Sequence, residues 1–141
     1  MVIADVNGET AFDLIIVGGG PAGLVAAAEA IKHQLSVALI DERVTFGGQI
    51  YKQMGIGFSI KDESQLTADQ RRGRELLRAI ENPLITQFLS TTVLSIDGTT
   101  IMIVTNGSRA KKIRGKRLLI APGAYDRPVA CLLYTSDAAD E

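Results

Sequence analysis

Three short groups of residues have types and spacings that could do chemistry. The first is Gly18-Gly19-Gly20-Pro21-Ala22-Gly23, a G-x-G-x-x-G pattern. It directly follows the apolar run Leu14-Ile15-Ile16-Val17 and opens an alanine-rich segment with helical spacing. In that setting the pattern has a mechanism. Gly18 allows a tight turn, Gly20 lets a pyrophosphate approach the backbone, and Gly23 lets a helix pack close to a strand. Pro21 suits the first helical position, where its missing N–H would be unpaired anyway. The helix N-terminus at Pro21 and Ala22 then offers N–H groups and a positive dipole end to phosphate.

The second group is Asp41-Glu42, 23 positions beyond Gly18 and at the end of the apolar run Ser36 to Ile40. A carboxylate at Asp41 can accept hydrogen bonds from both ribose hydroxyls of an adenosine. It also argues against a ribose 2′-phosphate, so NADP is not expected there. Glu42 is an adjacent candidate contact expected to point elsewhere, and Arg43 lies beyond the strand end. The third group pairs Gly47-Gly48-Gln49 with Ala121-Pro122-Gly123 near the other end of the chain. The first two groups alone fit NAD and FAD equally.

These residues need a frame to hold them. Phe12 to Val17 reads as a buried strand. Leu24, Ala27, Ala28 and Ile31 recur at helical spacing after Pro21, and Ser36 to Ile40 reads as a second strand. Strand, glycine turn, helix and strand make a βαβ unit. Thr45 to Ser59, with four glycines, reads as loop. A second helix begins at Thr67, with capping-box spacing to Gln70 and Leu66 placed for a hydrophobic staple. It ends before Asn82-Pro83 and buries Leu76, Leu77 and Ile80. Strands follow at Thr91 to Ile96, which contains the further candidate contact Val93. Ile101 to Val104 and Ala110 to Ile113 form a hairpin around Asn106-Gly107, and Arg117 to Ala121 is a last strand.

The third group carries a family resemblance. Gly47-Gly48-Gln49 after the ribose acid, and a late strand ending Ala121-Pro122-Gly123, resemble the flavoproteins with two dinucleotide-binding domains. In that family the Gly-Gly lines pyrophosphate and flavin, and the late strand returns beside the FAD. Pro122 stands where the family has a threonine, so a hydroxyl contact is lost there while the backbone path can still match. Gly47 to Tyr51 with Ala121 to Pro128 is similar to one branch, the FAD-binding subunits of opine oxidases, hydroxyproline dehydrogenases and hydrogen cyanide synthase. The resemblance covers roughly Asp13 to Ala130.

The resemblance implies a three-layer α/β FAD/NAD(P)-binding domain, truncated: a parallel sheet, a helical layer and a small antiparallel β-meander. It implies FAD as cofactor, with NAD(P) a further candidate in a missing domain. The isoalloxazine ring is expected towards Gly47 to Tyr51. The implied reaction is oxidation of a C–N bond of an amino acid, imino acid or opine. The implied partners are a small amine substrate and a second oxidase subunit. No catalytic acid or base is identifiable. Thioredoxin reductases, which share a Gly-Gly-Gln, are the rival within enzymes. The glutathione-reductase type is disfavoured, because no cysteine follows Gly48 directly. A non-catalytic dinucleotide-binding module is the alternative of another class.

The 141 residues are 46% hydrophobic and 22% charged, enough to bury a core, and the net charge of −1 names no polyanionic partner. No segment reads as a signal peptide or a bilayer span, and a cytoplasmic location is expected. One cysteine, Cys131, excludes an internal disulfide. Residues 131–141 resemble the translation of a transposase adapter used in sequencing libraries, so residues 1–130 are expected to be the genuine N-terminal part of the domain. His33, the one histidine, reads as a solvated helix-end residue. The basic run from Arg109 to Arg117 reads as the wet face and edge of a hairpin, not a nucleic-acid surface.

Overall fold

The computed structural model describes residues 3–4, 10–51, 66–106 and 108–124. The strands are β1 (Ile3–Ala4), β2 (Thr10–Val17), β3 (Val37–Ile40), β4 (Ile85–Phe88), β5 (Thr91–Asp97), β6 (Thr100–Thr105) and β7 (Lys111–Ile120). The helices are α1 (Pro21–Lys32) and α2 (Ala68–Ala79). The sheet runs β4-β3-β2-β7-β6-β5, and β1 pairs with the start of β2. Strands β4, β3, β2 and β7 are parallel to their neighbours, while β5, β6 and β7 pair antiparallel.

Four residues of β3, Val-Ala-Leu-Ile, show why the molecule has three layers. All four are buried, so both faces of the strand are covered. Val37 and Leu39 pack with Ile16, Leu24, Ala27 and Ile80 on the helical side. Ala38 and Ile40 pack with Phe12, Ile15, Ile101, Ile103 and Ile113 on the other side, beneath the β5–β6 meander. The expected parallel sheet, helical layer and small meander are therefore present. Helix α2 starts at Thr67, whose hydroxyl accepts from the Gln70 N–H while the Gln70 side chain accepts from the Thr67 N–H. The expected capping box is formed.

Three element assignments change. Ala110 to Ile113 and Arg117 to Ala121, expected as separate strands, are the two halves of β7. Gly115 between them is no break: its missing side chain leaves room for Ile15, whose Cγ1 would lie 2.8 Å from a Cβ there. β7 pairs with β6 over Lys111 to Arg114 and with β2 over Ile113 to Ile120, so it stands between those two strands in the sheet. The basic run is exposed as expected, and from Lys111 onward it lies along β7. Strand β4 has no counterpart in the sequence reading, because four residues are too few to show a period.

At the end of the parallel strands away from the cavity described below, Asp13, Ser36 and Lys116 tie three strand segments together. The Asp13 carboxylate accepts from the Ser36 N–H at 2.9 Å, from the Ser36 hydroxyl at 2.8 Å and from Lys116 Nζ at 2.7 Å. The Lys116 ammonium, then the two Ser36 donors, hold the Asp13 carboxyl well below its ordinary value near 3.8.

Candidate functional site

A cavity of about 580 Å³ opens where β2, β3 and β7 end. The chain runs from β2 to β3 and β4 on one side and returns to the other side of β2 as β7. The C-terminal end of β2 is therefore the point where the strand order reverses, the place where open α/β sheets bind ligands.

One wall is the glycine turn and the start of α1. Gly18 has φ +105°, and a Cβ there would fall on the Ala121 carbonyl, so glycine is needed for the turn to meet the end of β7. Gly23 is buried, and a Cβ there would fall on the Gly18 carbonyl, so it sets the close helix–strand packing. Gly20 is different. It lines the cavity, and among the described residues a Cβ would meet only the Gly48 Cα, 3.9 Å away. The protein does not need glycine there; a ligand in the cavity would. Pro21 and Ala22 line the same wall. The intrahelical bonds start at Leu24 N–H to Gly20 O, leaving the preceding N–H groups at the helix N-terminus. Glycine at the N-cap makes no side-chain cap hydrogen bond at that end.

A second wall is the turn after β3. Asp41 Oδ2 accepts from the Gly19 N–H at 2.7 Å and Oδ1 from the Arg43 N–H at 2.8 Å. Its carboxylate thus joins the two nucleotide motifs before any ligand enters. Each oxygen can accept again, so a ribose can still be held. The main chain is fixed too: Asp41 N–H donates to Phe88 O, Thr91 N–H to Asp41 O and Ser90 N–H to Arg43 O, each at 2.9 Å. Thr91, buried in the cavity wall, hydrogen-bonds Leu89 O and the Thr105 hydroxyl. The short β4 strand and its corner therefore build the Asp41 end of the site.

A third wall is the Gly47–Gly48 loop, tied to the glycine turn by Gly47 N–H to Gly19 O at 2.8 Å. Gly48 and Gln49 line the cavity, as do Val93 and the segment Ala121-Pro122-Gly123. Gly23 and Gly47 sit behind the lining, where they shape it. Glu42, expected to point elsewhere, faces the cavity. Tyr51 does not: its ring lies over Gly73 of α2 and packs with the helical-side core. His33 caps the end of α1 with an exposed ring, 3.7 Å from Glu29.

Sequence reasoning misses Gly19, Arg43 and Thr91. Gly19 is buried, and a Cβ there would strike the Phe46 ring and approach Asp41 Oδ2 to 3.1 Å. Its signal is present as the middle residue of three glycines. Thr91 gives none, since its part depends on a non-local turn. Tyr125 to Pro128, Lys52 and residues 131–141 lie outside the described residues. Among the described residues no group of three or more His, Cys, Asp or Glu could hold a metal ion, and no helix is long and apolar enough to cross a membrane.

Residues 12–133 match the family model described as pyridine nucleotide-disulphide oxidoreductase. A subunit of the opine oxidase of Rhizobium meliloti is 32% identical over 126 residues, which cover 84% of this chain and 24% of that one. The crystal structure of L-proline dehydrogenase from P. horikoshii superposes with a TM-score of 0.66 at 32% identity, over 84% of this chain and 24% of that one. Thioredoxin reductase from Streptococcus pyogenes shares the fold, with a TM-score of 0.59 at 24% identity over 84% and 37% of the two chains. This chain thus spans about a quarter of the length of its opine oxidase relative. With most of its residues inside the family match, and its cavity at the reversal of the strand order, the chain belongs to the pyridine nucleotide-disulphide oxidoreductase family.

Proposed function

We propose that the cavity binds FAD, and that the chain is the FAD-binding portion of an oxidoreductase acting on a C–N bond of an amino acid, imino acid or opine. The observation that carries the FAD reading is Gly20, a glycine whose missing side chain leaves space in the cavity and not in the protein. Asp41 holds the adenosine ribose. The α1 N-terminus takes the diphosphate, with Ala22 and Gly23 supplying N–H donors. The Gly48-Gln49 side of the cavity leads towards the flavin. When bound, FAD supplies the acceptor for a hydride from the substrate C–H beside nitrogen. The chain's own residues bind and orient it.

The substrate class is supported by two relatives at 32% identity whose names specify an opine and L-proline. Both molecules carry an amine nitrogen next to a C–H bond. The opine oxidase relative is by its name one of that enzyme's subunits, which supports a protein partner here. The thioredoxin-reductase reading has the shared fold behind it but a lower identity.

The test uses the protein encoded by the uninterrupted reading frame that contains this chain, loaded with FAD and mixed anaerobically with proline derivatives and opines. Bleaching of the flavin by one of them is the expected result. Flavin that stays oxidised with every amine, yet is reduced by NADPH and passes electrons to a protein disulfide, would overturn it.

A further inference from the structure

We infer that Arg43 is the cation that holds the cofactor's diphosphate, acting as a clamp between the ribose-acid turn and the Gly47–Gly48 loop; this rests on the FAD reading above. Its backbone is pinned at both polar groups, by Asp41 Oδ1 on its N–H at 2.8 Å and by the Ser90 N–H on its carbonyl at 2.9 Å. Ser90 holds that position in a left-handed conformation, φ 49°, at the corner between β4 and β5. The base of the side chain is therefore fixed while the side chain itself is exposed and lines the cavity.

The guanidinium reaches across to the Gly48 carbonyl at 3.5 Å. That is long for a hydrogen bond, so the group is placed but weakly held, and a better acceptor can take it. Gly48 in turn lies against the helix start: a Cβ on Gly48 would come within 3.0 Å of the Gly20 Cα. Arg43 thus lines the same cavity as Gly20, Pro21 and Ala22 at the N-terminus of α1, with Gly48 in contact with both.

Charge points the same way. Among the described residues that line the cavity, Asp41 and Glu42 are acids and Arg43 is the only cation. The helix N-terminus offers roughly half a unit charge. A doubly negative diphosphate drawn into a site with two carboxylates needs more than that. Arginine supplies it, with a planar fork that matches two phosphate oxygens at once. A 2′-phosphate is the other anion an arginine here could read. It would have to project from the ribose where the Asp41 carboxylate already stands, so the diphosphate is favoured.

The test is equilibrium binding of adenosine, AMP, ADP and adenosine 2′,5′-diphosphate to the flavin-free protein encoded by the uninterrupted reading frame that contains this chain, and to its Arg43→Gln and Arg43→Lys variants. The unmodified protein is expected to prefer ADP over AMP. Arg43→Gln should weaken ADP by about tenfold or more while adenosine stays within about twofold, as loss of a charge-assisted bond requires. Arg43→Lys should recover part of the loss, and added salt should weaken ADP binding less in Arg43→Gln than in the unmodified protein. An unchanged preference for ADP over AMP in Arg43→Gln overturns the inference. So does an equal loss of adenosine and ADP, which marks a merely structural role, or a loss confined to the 2′,5′-diphosphate. Failure of the unmodified full-length protein to bind even adenosine defeats the FAD reading itself, a different result from any of these.

Discussion

Gly18 and Gly20 belong to one motif, yet the protein needs them for different reasons. At Gly18 a side chain would strike the end of β7 and would sit at a positive φ. At Gly20 it would strike nothing among the described residues, and the N-cap φ of −76° suits any residue. Gly18→Ala should therefore destabilise the chain by about 2 kcal/mol or more. Gly20→Ala should cost no more than about 1 kcal/mol, the loss of a tolerated N-cap residue, and still weaken FAD binding at least tenfold. Urea melts and flavin titrations on the two variants read both effects. A Gly20→Ala chain that binds FAD normally would show that no cradle exists there. At this scale the sequence is most legible where chemistry sits in a contiguous motif, as at Gly18 to Gly23 and Asp41. Arg43 is not legible as a site residue, because its partner Gly48 meets it only through the path of the loop.

At the scale of elements, local signals are legible and non-local ones are not. The capping box of α2 needs residues three apart, so Thr67 and Gln70 announce it. The unity of β7 needs Ile15, about a hundred positions away, to fill the space beside Gly115, and no local pattern reports that. Strand β4 exists because β3 offers it an edge, with Val37 to Ile40 opposite Ile85 to Phe88. The Asp13–Ser36–Lys116 tie belongs to this scale, since it joins β2, the start of β3 and β7. Its folded-state carboxyl titrates below the ordinary value of 3.8. The stability it contributes is thus fully present above that value and is lost as pH falls through the window below it. Denaturation midpoints should drop through that acid window in the unmodified chain. They should drop less steeply in Asp13→Asn, which should also be the weaker of the two at neutral pH. Parallel acid limbs in the two proteins would show that the tie contributes nothing.

For the molecule as a whole, composition bounds the answer and the motifs place it. The three layers follow from strands such as β3 that are apolar on both faces, and from a meander whose isoleucines turn inward at Ile101, Ile103 and Ile113. Among the described residues, cavities lie at both ends of the parallel strands. One is lined by the glycine turn and Asp41; the other, about 260 Å³, is lined by Asp13, Ser36, Arg114 and Lys116. In the second, the Asp13 carboxylate and the Lys116 ammonium satisfy each other. In the first, a helix N-terminus carries no side-chain cap and Gly20 leaves space open.

That contrast makes the central claim, that the first cavity is the dinucleotide site, open to one direct measurement. Backbone amide resonances of this chain's residues can be followed by NMR as FAD is added to the flavin-free protein encoded by the uninterrupted reading frame that contains this chain. Saturable shifts are expected that centre on Gly20, Ala22, Gly23, Asp41 and Gly48, with Asp13, Ser36 and Lys116 unmoved. Shifts centred on Asp13 and Lys116, or none at all at the glycine turn, would contradict it.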